Sequence, residues 1–399
     1  MTLDFQQVQV QVREMGKSAP KRQEELRNKR DEALALLKNY AGEIEVLRSK
    51  VQDAMRRDPS LRCALPVSLP DGTPQPLDGH YPLPPLPAQA TILAADGSQI
   101  NLDRHAEVEY GLVNVGAIQM RLGSPQPPIT FTRSELLHGE QLENLTVASL
   151  ALKRDLEERS ILLELAKNAP SPVITFTDGP MELWGSIEAT SAEQVSEYQQ
   201  SLKQYLDVLE QLCNLGAITA GYVDRPHSNP VIRLLEVATA TPEDLDKLRD
   251  FHPLRGVSDR YIYDKTILPG ERSSVFTMQS QASKYYAGNK ALHFFYLNVG
   301  RPGHPDLARV DVPAWVIWDQ AWLDSLHAVL VDQCRILGPK PYPYLLTRAH
   351  ETAVVTHQES DQVTNMIMLE LRRRGVPVEG ISNKQASKKY SGRTRHTPG

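Results

Sequence analysis

The sequence predicts a mixed α/β fold in which helices flank a central sheet. Two strand-like runs, Thr91-Ile-Leu-Ala-Ala-Asp-Gly-Ser and Pro172-Val-Ile-Thr-Phe-Thr-Asp-Gly-Pro, each reach an Asp-Gly pair. A helical segment lies between them, from Thr146 to Asn168, and a second runs from Ala192 to Leu215. A third buried run, Gly216 to Tyr222, then ends at Asp224 and Arg225. Strand, helix, strand in this order favours a sheet covered by helices.

The elements follow in chain order. Residues 21–57 read as one charged helix, in which Ala33, Leu37, Tyr40, Ile44, Leu47, Val51 and Ala54 recur at spacings of four and three. That is a heptad seam, open to a second copy, a partner helix or the body of the chain. Gly42 weakens such a helix by roughly 1 kcal/mol. Nine prolines between Pro59 and Ala90 predict an extended connection over the surface. The expected divisions are a helical segment at 1–58, this connection at 59–90, a body at 91–375 and a basic tail at 376–399.

Within the body, Ala106 to Gly123 alternates like a strand, and Thr241 with Pro242 starts a short capped helix. Ala291 to Val299 and Val310 to Trp318 are predicted strands, Pro313 marking an edge or bulge in the latter. Gln320 to Leu337 is amphipathic, and a final helix follows Pro343.

At 399 residues the chain can bury a large core, as one domain or one domain with appendages. No apolar run approaches the roughly 18 residues of a membrane span, and the N-terminus lacks a secretory h-region, so an intracellular chain is expected. Cys63, Cys213 and Cys334 are odd in number and far apart, which fits neither a disulfide framework nor a thiolate zinc site. The net charge of −5 gives no global attraction for nucleic acid. Local patches remain: Arg372, Arg373 and Arg374, and the tail with Lys384, Lys388, Lys389, Arg393 and Arg395.

Asp96 and Asp178 are the first candidate functional residues. A strand delivers its last side chain to a fixed place, and a following glycine lets the chain turn away. Hard divalent cations take carboxylate oxygens held in this way. Asp-Gly is also an ordinary turn pair, as at Asp71-Gly72 and Asp78-Gly79. A third element, Pro341-Tyr-Pro-Tyr-Leu-Leu-Thr-Arg-Ala-His, places Tyr342 just before a helix that carries His350.

An Asp-Gly-Ser strand, an acidic helix, an Asp-Gly strand and a terminal Tyr-Pro…Ala-His helix together resemble the NurA nuclease family, over most of residues 85–375. The resemblance implies an RNase H-like core and a nuclease dependent on a divalent metal, Mn²⁺ or Mg²⁺, with two ions. It also implies 5′-to-3′ degradation of DNA ends, with single-strand endonuclease activity beside it, in break resection. The partners implied are DNA, a HerA-type hexameric translocase and a second copy of the chain, in a prokaryotic, nucleoid-associated cytoplasmic setting. Asp96, Asp178 and His350 fall on the family's metal positions and Tyr342 on its active-site tyrosine. For the helical glutamate the choice is Glu157, with Glu158 next and Glu164 further along; the leucine phase does not separate them. Where relatives often carry a lysine, this chain has Tyr222-Val-Asp-Arg-Pro, so Arg225 takes over that nucleic-acid contact or the site is altered. Asp224 adds a carboxylate or pairs with Arg225.

Two other readings use the same residues: a degenerate nuclease fold that docks on a translocase, and an RNase. No P-loop occurs, so ATP-driven movement would need a partner. Tyr285, Tyr286 and Phe294 are candidate stacking residues, set against their use in the core.

Overall fold

The computed structural model describes residues 3–69, 72–103, 108–142, 145–183 and 192–376. Two helices open it, α1 (Phe5–Asn39) and α2 (Ile44–Arg57). The single helix predicted over 21–57 is thus broken between Asn39 and Ile44, around Gly42, the residue that weakens it most. Tyr40 fixes the break, its hydroxyl donating to Ala238 O at 3.1 Å. The seam persists across it: Ala33, Leu37, Leu47, Val51 and Ala54 are buried in one cluster with Val231, Leu234, Leu235 and Ala238. Of the three predicted occupants, the seam meets the chain's own body.

Among the described residues eleven strands form one sheet. They are β1 (Cys63–Pro66), β2 (His80–Tyr81), β3 (Ala90–Ile100), β4 (Gly111–Leu122), β5 (Ile129–Leu137), β6 (Val173–Asp178), β7 (Ile218–Asp224), β8 (Arg272–Ser273), β9 (Phe276–Gln279), β10 (Leu292–Asn298) and β11 (Leu307–Pro313). The main path runs β1-β9-β10-β11-β7-β6-β3-β4-β5. Strands β3, β4 and β5 make an antiparallel meander, while β6 lies parallel to both β3 and β7. Parallel neighbours need long crossovers. The helices α3 (Val147–Ala166) and α4 (Ala192–Asn214) lie in these two connections.

The remaining helices are α5 (Pro230–Thr239), α6 (Pro242–Leu245), α7 (Asp259–Thr266), α8 (Ala314–Ile317), α9 (Gln320–Ile336), α10 (Tyr344–Ala353) and α11 (His357–Arg373). None of the described helices is long and apolar enough to cross a membrane. Thr241 caps α6 as predicted, in a reciprocal box with Asp244.

Several elements differ from expectation. Residues 314–317 are helical: Pro313 ends β11, opposite Leu292 of β10 but beyond the pairing with β7, which has stopped at Asp311. The predicted final helix is two, α10 and α11. The Pro-rich stretch is extended but also contributes β1 and β2 to the sheet and buries Cys63, Ala64 and Leu77. The basic tail beyond Val376 lies outside the described residues.

One buried carboxylate ties the smaller core to the sheet. The α5 N-terminus starts with Pro230 and has no side-chain cap of its own. Asp259, the fully buried first residue of α7, accepts Ile232 N–H and Val231 N–H on separate oxygens, both at 2.8 Å, and Tyr296 OH at 2.7 Å. Asp259→Ala strands three buried donors at once and is expected to cost about 3 kcal/mol or more in urea unfolding. Burial raises this carboxyl to about 6 despite those hydrogen bonds. The folded state therefore keeps the proton to higher pH than the unfolded chain. Its contribution is fully present below about pH 4 and is lost as pH rises through about 6.

Candidate active site

Asp96 stands where β3 and β6 part. Pairing of β3 with β6 stops at Ala95 opposite Thr177, whereas pairing with β4 continues to Ile100. Asp96 is therefore inside a strand on one side and at a strand end on the other, which corrects the expectation of a turn after it. Gly97 serves a different purpose: a Cβ there would come within 2.5 Å of Arg154 Cγ and 2.7 Å of Glu158 Oε1. Its missing side chain lets α3 press onto the sheet at the aspartate. Asp178 does end β6, and Gly179 turns the chain at φ +90°, its N–H donating to Tyr222 O at 2.7 Å.

The acidic helix presents Glu158 rather than Glu157. Successive residues point about 100° apart on a helix. Glu157 faces β5, 3.5 Å from Arg133, which also pairs with Glu164. Glu158 is buried, with one oxygen 3.5 Å from Arg154 Nε. Asp155, three residues earlier on the same face, takes two bonds from Arg154 at 2.7 and 3.1 Å. Leucines could not fix this phase, because α3 packs on β3 and β4 along one side and on α4 along another.

The terminal helix brings His350 over the sheet. His350 Nδ1–H donates to Asp96 Oδ2 at 2.6 Å, while Asp96 Oδ1 accepts Gly97 N–H at 2.8 Å. A carboxylate oxygen only accepts, so the proton sits on Nδ1 and Nε2 is the basic nitrogen. The histidine side chain is 65% exposed and the aspartate 16%. Helix α10 reaches this position because Asn114 Nδ2 and Ser98 OH both donate to Ala353 O, at 2.7 and 2.5 Å, and because Gly116 has no side chain. A Cβ on Gly116 would lie 2.7 Å from Ala349 O and Ala353 N. Gly116→Ala is expected to lower stability by about 1–3 kcal/mol through overpacking, read by thermal melting, and to lift His350 off Asp96.

Tyr342 completes the group. It lies beside Asp178, whose carboxyl it lowers against the effect of burial, and its ring meets Tyr222 edge-on at 5.6 Å and 88°. Burial, followed by Asp178, raises this phenol, which stays protonated through neutral pH. Asp178 is itself raised, by burial and then by Asp96. Glu158 is held well above the usual carboxylate range by burial, then by Asp155 and Asp96.

Asp96, Asp155, Glu158, Asp178 and His350, with Arg154 and Arg159, line a cavity of about 340 Å³. Asp155 and the two arginines were not singled out from sequence, although Asp155, Glu158 and Leu162 share one helical face. Arg225 lies outside this cavity lining, exposed, at φ +42°, and paired with Asp306 at 3.4 Å. Asp224, open either as a further carboxylate or as a partner of Arg225, is an exposed strand end outside the cavity lining. Tyr286 and Phe294 are core residues, Tyr286 OH accepting Leu183 N–H at 2.8 Å.

The donor set suits a hard divalent cation in its chemistry: oxygens from separate elements, an imidazole, and carboxylates raised by burial and then by one another, a repulsion that a cation would relieve. Among the described residues, no three His, Cys, Asp or Glu side chains are gathered as a metal-binding group.

The strand order β5-β4-β3-β6-β7, with α3 and α4 in the crossovers and carboxylates at the central strands, is that of an RNase H-like fold. The chain belongs to the NurA family, whose domain matches residues 90–355. The NurA nuclease of Sulfolobus solfataricus is 12% identical, with a TM-score of 0.43 over 74% of this chain and 88% of that one. Endonuclease V of Ciona intestinalis, in complex with an inosine-containing 24mer DNA, is 11% identical, with a TM-score of 0.31 over 80% of this chain and 99% of that one. No curated protein matches the chain.

Proposed function

We propose that the chain is a divalent-metal-dependent DNA nuclease that degrades DNA from its ends. The observation that carries this reading is the convergence of Asp96, Glu158, Asp178 and His350 on one cavity of an RNase H-like sheet. Asp96, Glu158, Asp178 and His350 Nε2 would hold the ions, with Asp155 beside them; Mn²⁺ suits the imidazole better than Mg²⁺ does. When bound, such ions lend Lewis acidity to a phosphate and make water a better nucleophile at neutral pH. The chain itself orients and excludes. Asp96 fixes the tautomer of His350, so its basic nitrogen points away from the carboxylate. Tyr342, kept protonated by burial beside Asp178, offers a hydroxyl to orient a phosphate oxygen or the attacking water.

Family membership supports the finer expectations: DNA as substrate, a HerA-type translocase as partner and a homodimer as the working form. Arg225 is proposed as a contact for DNA outside the cavity, exchanging Asp306 for a phosphate.

The test uses purified protein with end-labelled linear DNA, closed circular DNA and RNA, each in EDTA, Mg²⁺ and Mn²⁺. Loss of DNA ends in metal alone supports the reading. Intact DNA in every condition, with a translocase added, moves the assignment to a docking subunit.

A further inference from the structure

Arg159 is the one cavity residue whose chemistry is left open by the site as described. It is 2% exposed, yet it lines the cavity. Its Nη1 donates to Ala220 O in β7 at 2.9 Å, which anchors the guanidinium to the sheet. Its Nη2 is buried and has no hydrogen-bond partner. A charged donor left so is costly, and native structures seldom tolerate one without a use.

No neighbouring side chain takes up Nη2. Asp155, one turn earlier on α3, is held by both Nε and Nη2 of Arg154. Tyr205 lies close to Arg159, and its hydroxyl donates to Met181 O at 2.8 Å. Were Arg159 only a countercharge for the carboxylates, its free arm would be expected to bond one of them. Arg159 instead lines a cavity where an anionic substrate must be accepted beside at least four acids. A guanidinium is suited to this, since its planar donors match phosphate oxygens at fixed geometry.

We propose that Arg159 binds a non-bridging phosphate oxygen of the strand being cut, through Nη2. This rests on the nuclease reading above. Arg159 then selects for an anionic linkage, while its bond to Ala220 keeps the donor in register with the sheet that carries Asp178.

The test is a scan of DNA strands, each carrying one uncharged methylphosphonate, at the scissile linkage or at a neighbour on either side. Wild type, Arg159→Lys and Arg159→Gln are compared by the ratio of cleavage rates on unmodified and modified strands. Each ratio is taken on one protein sample, so partial unfolding of a variant cancels. In the wild type, one position is expected to cost about tenfold or more, and in both variants that penalty falls below about threefold. The other positions keep their penalties. Identical penalties in all three proteins would make Arg159 a structural countercharge and overturn the proposal. Failure of the wild type to cut the unmodified strand would overturn the nuclease reading, and this proposal with it.

Discussion

Asp96→Asn is expected to reduce metal-dependent DNA cleavage by more than about a hundredfold, since removing even a hydrogen-bond partner of a metal ligand costs about 10–100-fold. The substitution is nearly isosteric. Asparagine can still accept from Gly97 N–H through its oxygen, so the backbone at the parting of β3 and β6 has no reason to move. What is lost is the acceptor for His350 Nδ1–H and a charge that, after burial, helps to raise both Asp178 and Glu158. The variant should therefore melt no lower than the wild type in EDTA while losing cleavage in Mn²⁺. Activity within about threefold of wild type would remove Asp96 from the chemistry and, with it, the assignment of the cavity.

Glu158→Gln is expected to lose cleavage on a similar scale, about a hundredfold, whereas Glu157→Gln stays within about threefold of wild type. The contrast follows from their settings. Glu157 meets Arg133 in a half-exposed pair that is worth little. Glu158 is buried against Asp155, Asp96 and the two arginines. Neutralising it relieves repulsion, so Glu158→Gln should raise the melting temperature in EDTA as it lowers activity. A purely structural glutamate would lose both together. Equal loss from both variants, or loss only from Glu157→Gln, would return the helical role to the outward face.

The sequence made some of this legible and hid the rest for physical reasons. Asp178 with Gly179 was readable because a strand end followed by a left-handed glycine is a local event, complete within two residues. Tyr342 and His350 were readable as residues because their spacing on a helix start is local too. The setting of Asp96 was not, because Gly97 answers to the side chains of Arg154 and Glu158, residues that contact it only after α3 has docked. Glu157 was preferred over Glu158 for the same reason: a helix apolar on two sides has no single inward face to read. Strand β5 lacks a counterpart among the predicted elements, since this edge strand sets Ile129, Phe131, Leu136 and Leu137 around a polar Thr-Arg-Ser-Glu centre that interrupts the alternation. The seam of α1 and α2 was visible, but its occupant depended on α5, far along the chain.

The bond between His350 and Asp96 spans 254 positions of sequence. Synthesis runs from the N-terminus, so β3, α3 and β6 emerge with all their acids long before α10 leaves the ribosome. A nascent chain, or one cut short before Gly116 receives its helix, carries the carboxylates without the imidazole. Order of synthesis thus separates the two: the assembly proposed to cut DNA is completed only once α10, the next-to-last helix among the described residues, has been made.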